Sequence, residues 1–169
     1  MPEIYNASIT GSKTINDVIF SNKGTYITTD FGYVLINDAK LEVKESRIYN
    51  TPTSSVCVMG DKLLVSTKNS VYIEEIGKHY SNISELKETS FKQGGKLLAI
   101  NDNELFIKTG WLFVYKMNGN DIAYKSTIST EGAKSFQRTA QGYQYVTTQG
   151  VGQLVTLDAN ANKTASITL

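Results

Sequence analysis

The chain has 169 residues, a single cysteine, and 17 basic against 16 acidic side chains. At this length roughly 70% of the unfolded surface is buried without staples, and one cysteine excludes an intramolecular disulfide. The balanced charge leaves no net field to draw in nucleic acid or anionic lipid, so neither is expected as a partner.

The N-terminal stretch MPEIYNASITGSKT has no basic flank and no apolar run, and it does not read as a signal peptide. No later stretch approaches the ~20 apolar residues of a membrane span. A cytoplasmic or virion-associated location without membrane insertion is therefore the expectation. Within this stretch, residues 4–11 read as an extra strand.

Four similar units follow, over residues 14–50, 51–90, 91–130 and 131–169. The first opens with Val18 and Phe20, turns at Asn22-Lys23, and continues as GTYITTD. A turn at Asp30-Phe31-Gly32 leads to a third strand over 33–36 and a fourth over 41–49. The second unit carries Val56 and Val58, Gly60-Asp61, KLLVSTK, a third strand over 71–74 and a fourth over 80–86. The third carries Leu98 and Ile100, Asp102-Asn103, ELFIKTG, and strands over 112–115 and 122–128. The fourth has Gln137 and Thr139 where apolar residues are expected, then Gln141-Gly142, YQYVTTQ, and strands over 154–157 and 163–169.

The repeat period is about 40 residues. Its register is marked by Thr29, Thr67, Thr109 and Thr148. Two positions earlier stand Ile27, Val65, Ile107 and Val146, which are expected to form a buried repeat core. One position earlier again stand Tyr26, Leu64, Phe106 and Tyr145. The Asn-, Asp- and Gly-rich linkers suit tight hairpins. Four short antiparallel strands per unit predict an all-β chain of the β-propeller type with four blades. Strand counting gives an excess, because YNASIT near the start and KTASITL at the end compete to be the fourth strand of the last blade. Tyr5, Ile9, Ile167 and Leu169 are thus expected at or near a contact with another protein chain, either a second copy or an assembly partner.

The words YITTDFGYVLI and LLVSTKNSVYI resemble blades of the two-component-regulator propeller and quinoprotein-like repeat families. Thr29, Asp30, Gly32 and Val34 carry the match. The resemblance implies the fold and no activity. The tryptophan motif of quinoprotein blades is absent, since Trp111 stands alone, which argues against a quinone cofactor. Similar propellers also occur in phage tail proteins.

Residues with reactive chemistry do not converge. Asp30-Phe31-Gly32 looks like a kinase metal-binding tripeptide, but its equivalents in other units include Lys68 and Gln149. His79 is the only histidine, so a multi-histidine metal site or a His-paired nucleophile within the chain is excluded. Strand alternation turns Cys57 away from Val56 and Val58, as a small structural residue. DANAN, from Asp158, opens like a calcium loop but has Lys163 at the sixth position and Leu169 at the twelfth. Glu74 and Glu75 point to opposite faces of a strand. Trp111, Tyr33 and Tyr72 near the second turns offer either packing or a stacking surface. No catalytic, cofactor or metal site is expected. The reading is a non-enzymatic structural or protein-interaction module within a larger assembly such as a phage virion or tail, with a small-ligand or carbohydrate-binding propeller as the alternative.

Overall fold

The structure, a computed structural model, describes residues 13–129, 132–148 and 150–169. Four sheets follow one another along the chain, each a four-stranded antiparallel meander, arranged as a four-bladed β-propeller. The first blade holds β1 (Ile15–Ser21), β2 (Gly24–Thr29), β3 (Gly32–Asn37) and β4 (Glu42–Ile48). The second holds β5 (Thr53–Met59), β6 (Lys62–Thr67), β7 (Val71–Glu75) and β8 (Lys87–Glu88). The third holds β9 (Lys96–Ala99), β10 (Glu104–Lys108), β11 (Leu112–Asn118) and β12 (Asp121–Ser129). The fourth holds β13 (Ala133–Thr139), β14 (Gly142–Thr147), β15 (Gln153–Leu157) and β16 (Lys163–Thr168). Residues 4–11, including Tyr5 and Ile9, lie outside the described residues.

Strand alternation gives each sheet two faces, and successive sheets stack face to face. Tyr26, Tyr33 and Leu35 of the first blade meet Val56, Leu63 and Val65 of the second. Cys57, Leu64 and Ile73 of the second meet Leu97, Leu105 and Ile107 of the third. Phe106, Leu112 and Val114 of the third meet Phe136, Tyr143 and Tyr145 of the fourth. Fully burying each such side chain contributes about 1.5–3 kcal/mol. Among the described residues, no apolar cluster joins the fourth blade to the first.

The hairpin turns show why glycine stands where it does. Gly24 and Gly142 open β2 and β14 at φ 125° and 145°. A Cβ at either would meet a backbone carbonyl oxygen of the third strand, Ile36 O at 2.2 Å or Leu157 O at 2.1 Å. Only glycine avoids both the strained φ and the clash.

These two glycines also expose a one-residue slip in the sequence alignment of the fourth unit. Gly24 stands five positions before Thr29, and Gly142 stands five positions before Thr147, not Thr148. The Thr29 hydroxyl accepts from Phe31 N at 3.3 Å and donates to Gly32 O at 3.0 Å. Thr67 accepts from Asn69 N and Ser70 N, and Thr109 accepts from Trp111 N. In the fourth blade the matching acceptor is Thr147 Oγ1, which takes Gln153 N at 3.2 Å. The paired Thr147-Thr148 hides the slip in the sequence. Corrected by one, the inner position held by Val18 and Val56, opposite Ile27 and Val65, falls on Phe136, which is buried and lies opposite Tyr145. In the third blade the residue opposite Ile107 is Leu97, and the expected Leu98 turns to the other face, opposite Phe106. The turn becomes Ala140-Gln141, since Thr139 pairs with Gly142.

The slip decides the burial of the repeat positions. Val65 and Ile107 are fully buried against the preceding blade. Ile27 shares their register but is half-buried, because no described blade precedes the first. Val146 is half-buried on the opposite face, and Tyr145 takes the slot facing the third blade.

One strand also departs from its expected place. The expected fourth strand over 80–86 is instead a coil and a 3-10 turn at Ile83–Glu85, with only two strand residues after it. Asn82 Oδ1 caps the turn by accepting from Ser84 N at 3.0 Å. Glu85 Oε2 accepts from Ser81 N at 3.2 Å. These local side-chain bonds outcompete strand pairing there.

Candidate functional site

Three features concentrate chemistry. The first is the axial cleft. The innermost strands β1, β5, β9 and β13 line a concave space of about 780 Å³. Its wall includes Val18, Phe20, Val56, Leu98 and Phe136, with Arg138 among the lining residues. Phe20 is 80% exposed, unusual for so large an apolar side chain. Lys96 also lines the space, and its ammonium pairs with Asp17 at 3.2 Å.

The second is a buried polar hub between the first two blades. Glu74 is 2% exposed. The Tyr33 hydroxyl lies 2.9 Å from both of its oxygens, and the Tyr49 hydroxyl donates to Oε2 at 2.9 Å. Arg47 Nε donates to Oε1 at 3.2 Å. The same guanidinium also pairs with Glu45, and its Nη2 donates to Lys78 O at 2.6 Å. Burial pushes the Glu74 carboxyl above its ordinary range, against the lowering effect of the two hydroxyls and Arg47. Burial also raises the Tyr33 and Tyr49 phenols, with the Glu74 charge adding to it. Tyr26, edge-on to Tyr33 at 5.5 Å, is pushed up to about 12, chiefly by burial. Among the described residues no buried side-chain nitrogen or oxygen of the hub lacks a partner, so the hub is satisfied and locks one blade to the next. Sequence reasoning missed it. Its available signal was a carboxylate inside the apolar strand VYIEE, together with one of only two arginines in the chain.

The third is an aromatic strip on the outer half of the third blade. Trp111 and Phe113 lie 5.9 Å apart, Phe113 and Tyr115 6.4 Å, and Tyr115 and Tyr124 5.9 Å. Phe91, from the linker before β9, abuts Tyr115 at 5.1 Å. Trp111 is 50% and Tyr124 56% exposed. The strip faces the rim of the second blade, where β8 is too short to cover it.

The other residues singled out from the sequence do not join these features. Ile167 and Leu169, the second on the residue after β16, are 63% and 70% exposed. Ile167 is the outermost member of a cross-strand row with Leu154 and Val146 on the face of the fourth blade turned away from the third. His79 is exposed. Cys57 is buried, its thiol pushed up to about 12 by desolvation. Asp158 caps its own turn, accepting from Asn160 N at 2.8 Å and Asn162 N at 2.9 Å. Tyr33 belongs to the hub and Tyr72 packs against the first interface, so Trp111 alone of that trio is largely open. Among the described residues, no group of three or more His, Cys, Asp or Glu side chains is placed to hold a metal ion. Among them, too, no helix is long and apolar enough to cross a membrane.

Residues 1–90 match the family model described as the N-terminal β-propeller domain of the type IX secretion component PorZ. No curated protein matches the sequence. Among solved structures, the chain is similar to PorZ of Porphyromonas gingivalis, described as an essential bacterial surface component of the type IX secretion system. That match has a TM-score of 0.74 and 11% identity, and covers 99% of this chain and 22% of that one. Hydrazine synthase of Kuenenia stuttgartiensis is similar at a TM-score of 0.60 and 11% identity, over 96% of this chain and 53% of that one. The N-terminal domain of Nup159 is similar at 0.58 and 18%, over 95% and 46%. The chain thus spans 22–53% of the length of these structures. At these identities the likeness speaks to the fold. A phage virion or tail role finds no support, because the matching family belongs to a secretion system.

Proposed function

The chain belongs to the family of the PorZ N-terminal β-propeller domain, and from that premise we propose that it is a non-enzymatic interaction module of a bacterial surface assembly. The mechanism is rigid display. Stacked sheets with buried interfaces hold turns and end faces in fixed positions, and partners bind there.

The observation that carries this reading is where the large apolar side chains are exposed. Among the described residues, seven of them fall on the two end blades: Ile15, Val18, Phe20 and the turn residue Leu41 on the first, and Val151, Ile167 and Leu169 on the fourth. Proteins rarely leave such groups clustered in water unless another surface covers them. The PorZ relative, described as a bacterial surface component of a secretion system, supports an extracytoplasmic setting over the cytoplasm.

The test is native mass spectrometry of the full chain from its own bacterium, compared with Phe20→Glu and Ile167→Glu. The expected result is a protein partner that is lost in one variant or both while the melting temperature stays unchanged. Turnover of generic ester, phosphate or quinone substrates that a single side-chain change abolishes would overturn the non-enzymatic reading.

A further inference from the structure

We propose that the outer edge of the third blade is a second docking site, which takes an extended polypeptide strand of a partner protein with apolar side chains at alternate positions. The proposal rests on the reading of the chain as an interaction module, but it concerns a different surface from the end blades.

Among the described residues β12 is the longest strand at nine residues, and there it pairs only with β11. Its other edge is open. At one end the linker residue Ser90 closes it: Ser90 N donates to the Asp121 carboxylate at 2.8 Å and Ser90 Oγ to Ile122 O at 3.2 Å, while Ile122 N is taken by the Asp121 carboxylate of the strand itself at 2.7 Å. Beyond that point, among the described residues, no linker or loop hydrogen-bonds to the backbone of residues 123–128. An open edge of this kind is a template for strand addition.

The aromatic strip lies beside that edge, on the same sheet. Tyr115 and Tyr124 are cross-strand partners, and Phe113 pairs with Thr127. The rings therefore line one face, where every second side chain of an added strand falls. The strip also continues an existing interface. Phe91, Tyr115 and Met117 pack against the core between the second and third blades, and the rings run outward from it past the short β8.

The polar groups nearby argue for a strand over a sugar. A sugar site needs side chains free to bind hydroxyls. Here Asp121 already accepts from Ser90 N, Ser90 Oγ and Ile122 N. Glu104 pairs with Lys125 at 2.6 Å, Glu88 with Lys92 at 2.7 Å, and the Tyr124 hydroxyl bonds Thr127 Oγ1 at 2.9 Å. Main-chain groups are what this edge has to offer, and they suit a peptide backbone.

Trp111 is the only tryptophan, so it reports on its own strip. The full chain is titrated with an acetylated hexapeptide of alternating valine and threonine, with the same peptide N-methylated on alternate amides, and with cellohexaose. Tryptophan emission and amide exchange are followed together. The expected result is a saturable blue shift with the unmethylated peptide and slowed exchange at residues 123–128. N-methylation and Tyr124→Ala each weaken binding about tenfold, in line with the loss of one good contact. In Trp111→Phe the emission signal disappears while the slowed exchange persists. Unchanged exchange at 123–128 up to millimolar peptide overturns the proposal. So does equal binding of the methylated peptide, or a Trp111 shift with cellohexaose alone. None of these outcomes bears on the end-blade partner, so the two readings fail separately.

Discussion

The first and third blade interfaces join sheets of the same size by different physics. Between the first two blades the contact is built around a charge, with Glu74 taking bonds from Tyr33, Tyr49 and Arg47. Between the last two it is built around rings. Phe106 meets Phe136 at 4.8 Å and Tyr143 at 4.7 Å, both edge to face. The hub demands a particular geometry, because each buried polar atom needs its partner. The ring cluster demands volume and tolerates small shifts. A repeat fold thus keeps its backbone plan while each interface finds its own chemistry.

The largest expected effect breaks the hub. Glu74→Ala leaves Arg47 and two phenols buried without their acceptor and is expected to cost about 3–5 kcal/mol in urea melts. A loss below about 1 kcal/mol would mean that the hub is ornamental. Phe106→Ala at the other interface is expected to cost about 3 kcal/mol through the cavity it opens. Its cost should not vary with pH, since none of the groups it touches titrates between about pH 4 and 9.

The hub variant should behave differently with pH. The Glu74 carboxyl is raised in the fold, so the stability it contributes is full below the ordinary carboxylate value near 4.3 and falls as pH rises through the folded value. The gap between the wild type and Glu74→Gln should therefore move in favour of the glutamine variant as pH increases above about 4. On the alkaline side, Tyr26, Tyr33 and Tyr49 are raised above the ordinary phenol value near 10. Their contribution is full below that value and is lost as pH rises past it. Ultraviolet titration should show these three of the ten tyrosines ionising only with unfolding. Normal titration of all ten in the folded protein would remove the hub from the account.

The architecture was legible in the sequence because the physics that makes a blade is local. The short apolar run in KLLVSTK, the tight linker Gly60-Asp61 and the recurrence of both announce strands, turns and repeat without any long-range contact. The hub was not legible, because its four groups come from β3, β4, β7 and residue 49, and only stacking of two blades brings them together. The aromatic strip was half legible. Trp111 was singled out, but its neighbours Phe113, Tyr115 and Tyr124 become a surface only because β8 is short, and Asn82 and Glu85 shorten it through bonds that no periodicity displays. The end-face residues Ile167 and Leu169 were recognisable because KTASITL and YNASIT compete for one fourth-strand place.

The smallest expected effect tests the slip in the fourth blade. Thr147 and Thr148 are chemically identical neighbours, and laying the word YQYVTTQ on GTYITTD favours the second. The fold distinguishes them by burial and by partner. Thr147 is 3% exposed and its hydroxyl takes Gln153 N, as Thr109 takes Trp111 N one blade earlier. Thr148 is exposed, and its hydroxyl donates to Gly132 O at 3.1 Å on the surface, where water is an equal partner. Valine keeps the shape of threonine and deletes the hydroxyl. Thr147→Val should then cost about 1 kcal/mol, the net value of a buried hydrogen bond. Thr148→Val should stay within about 0.5 kcal/mol, as surface changes usually do. Ranking in the opposite order would restore the original register and return Val146 to the row of Val65 and Ile107. The fourth blade would then turn Val146 toward the third, and Tyr145 would have to leave the apolar core that it shares there with Phe106 and Phe136.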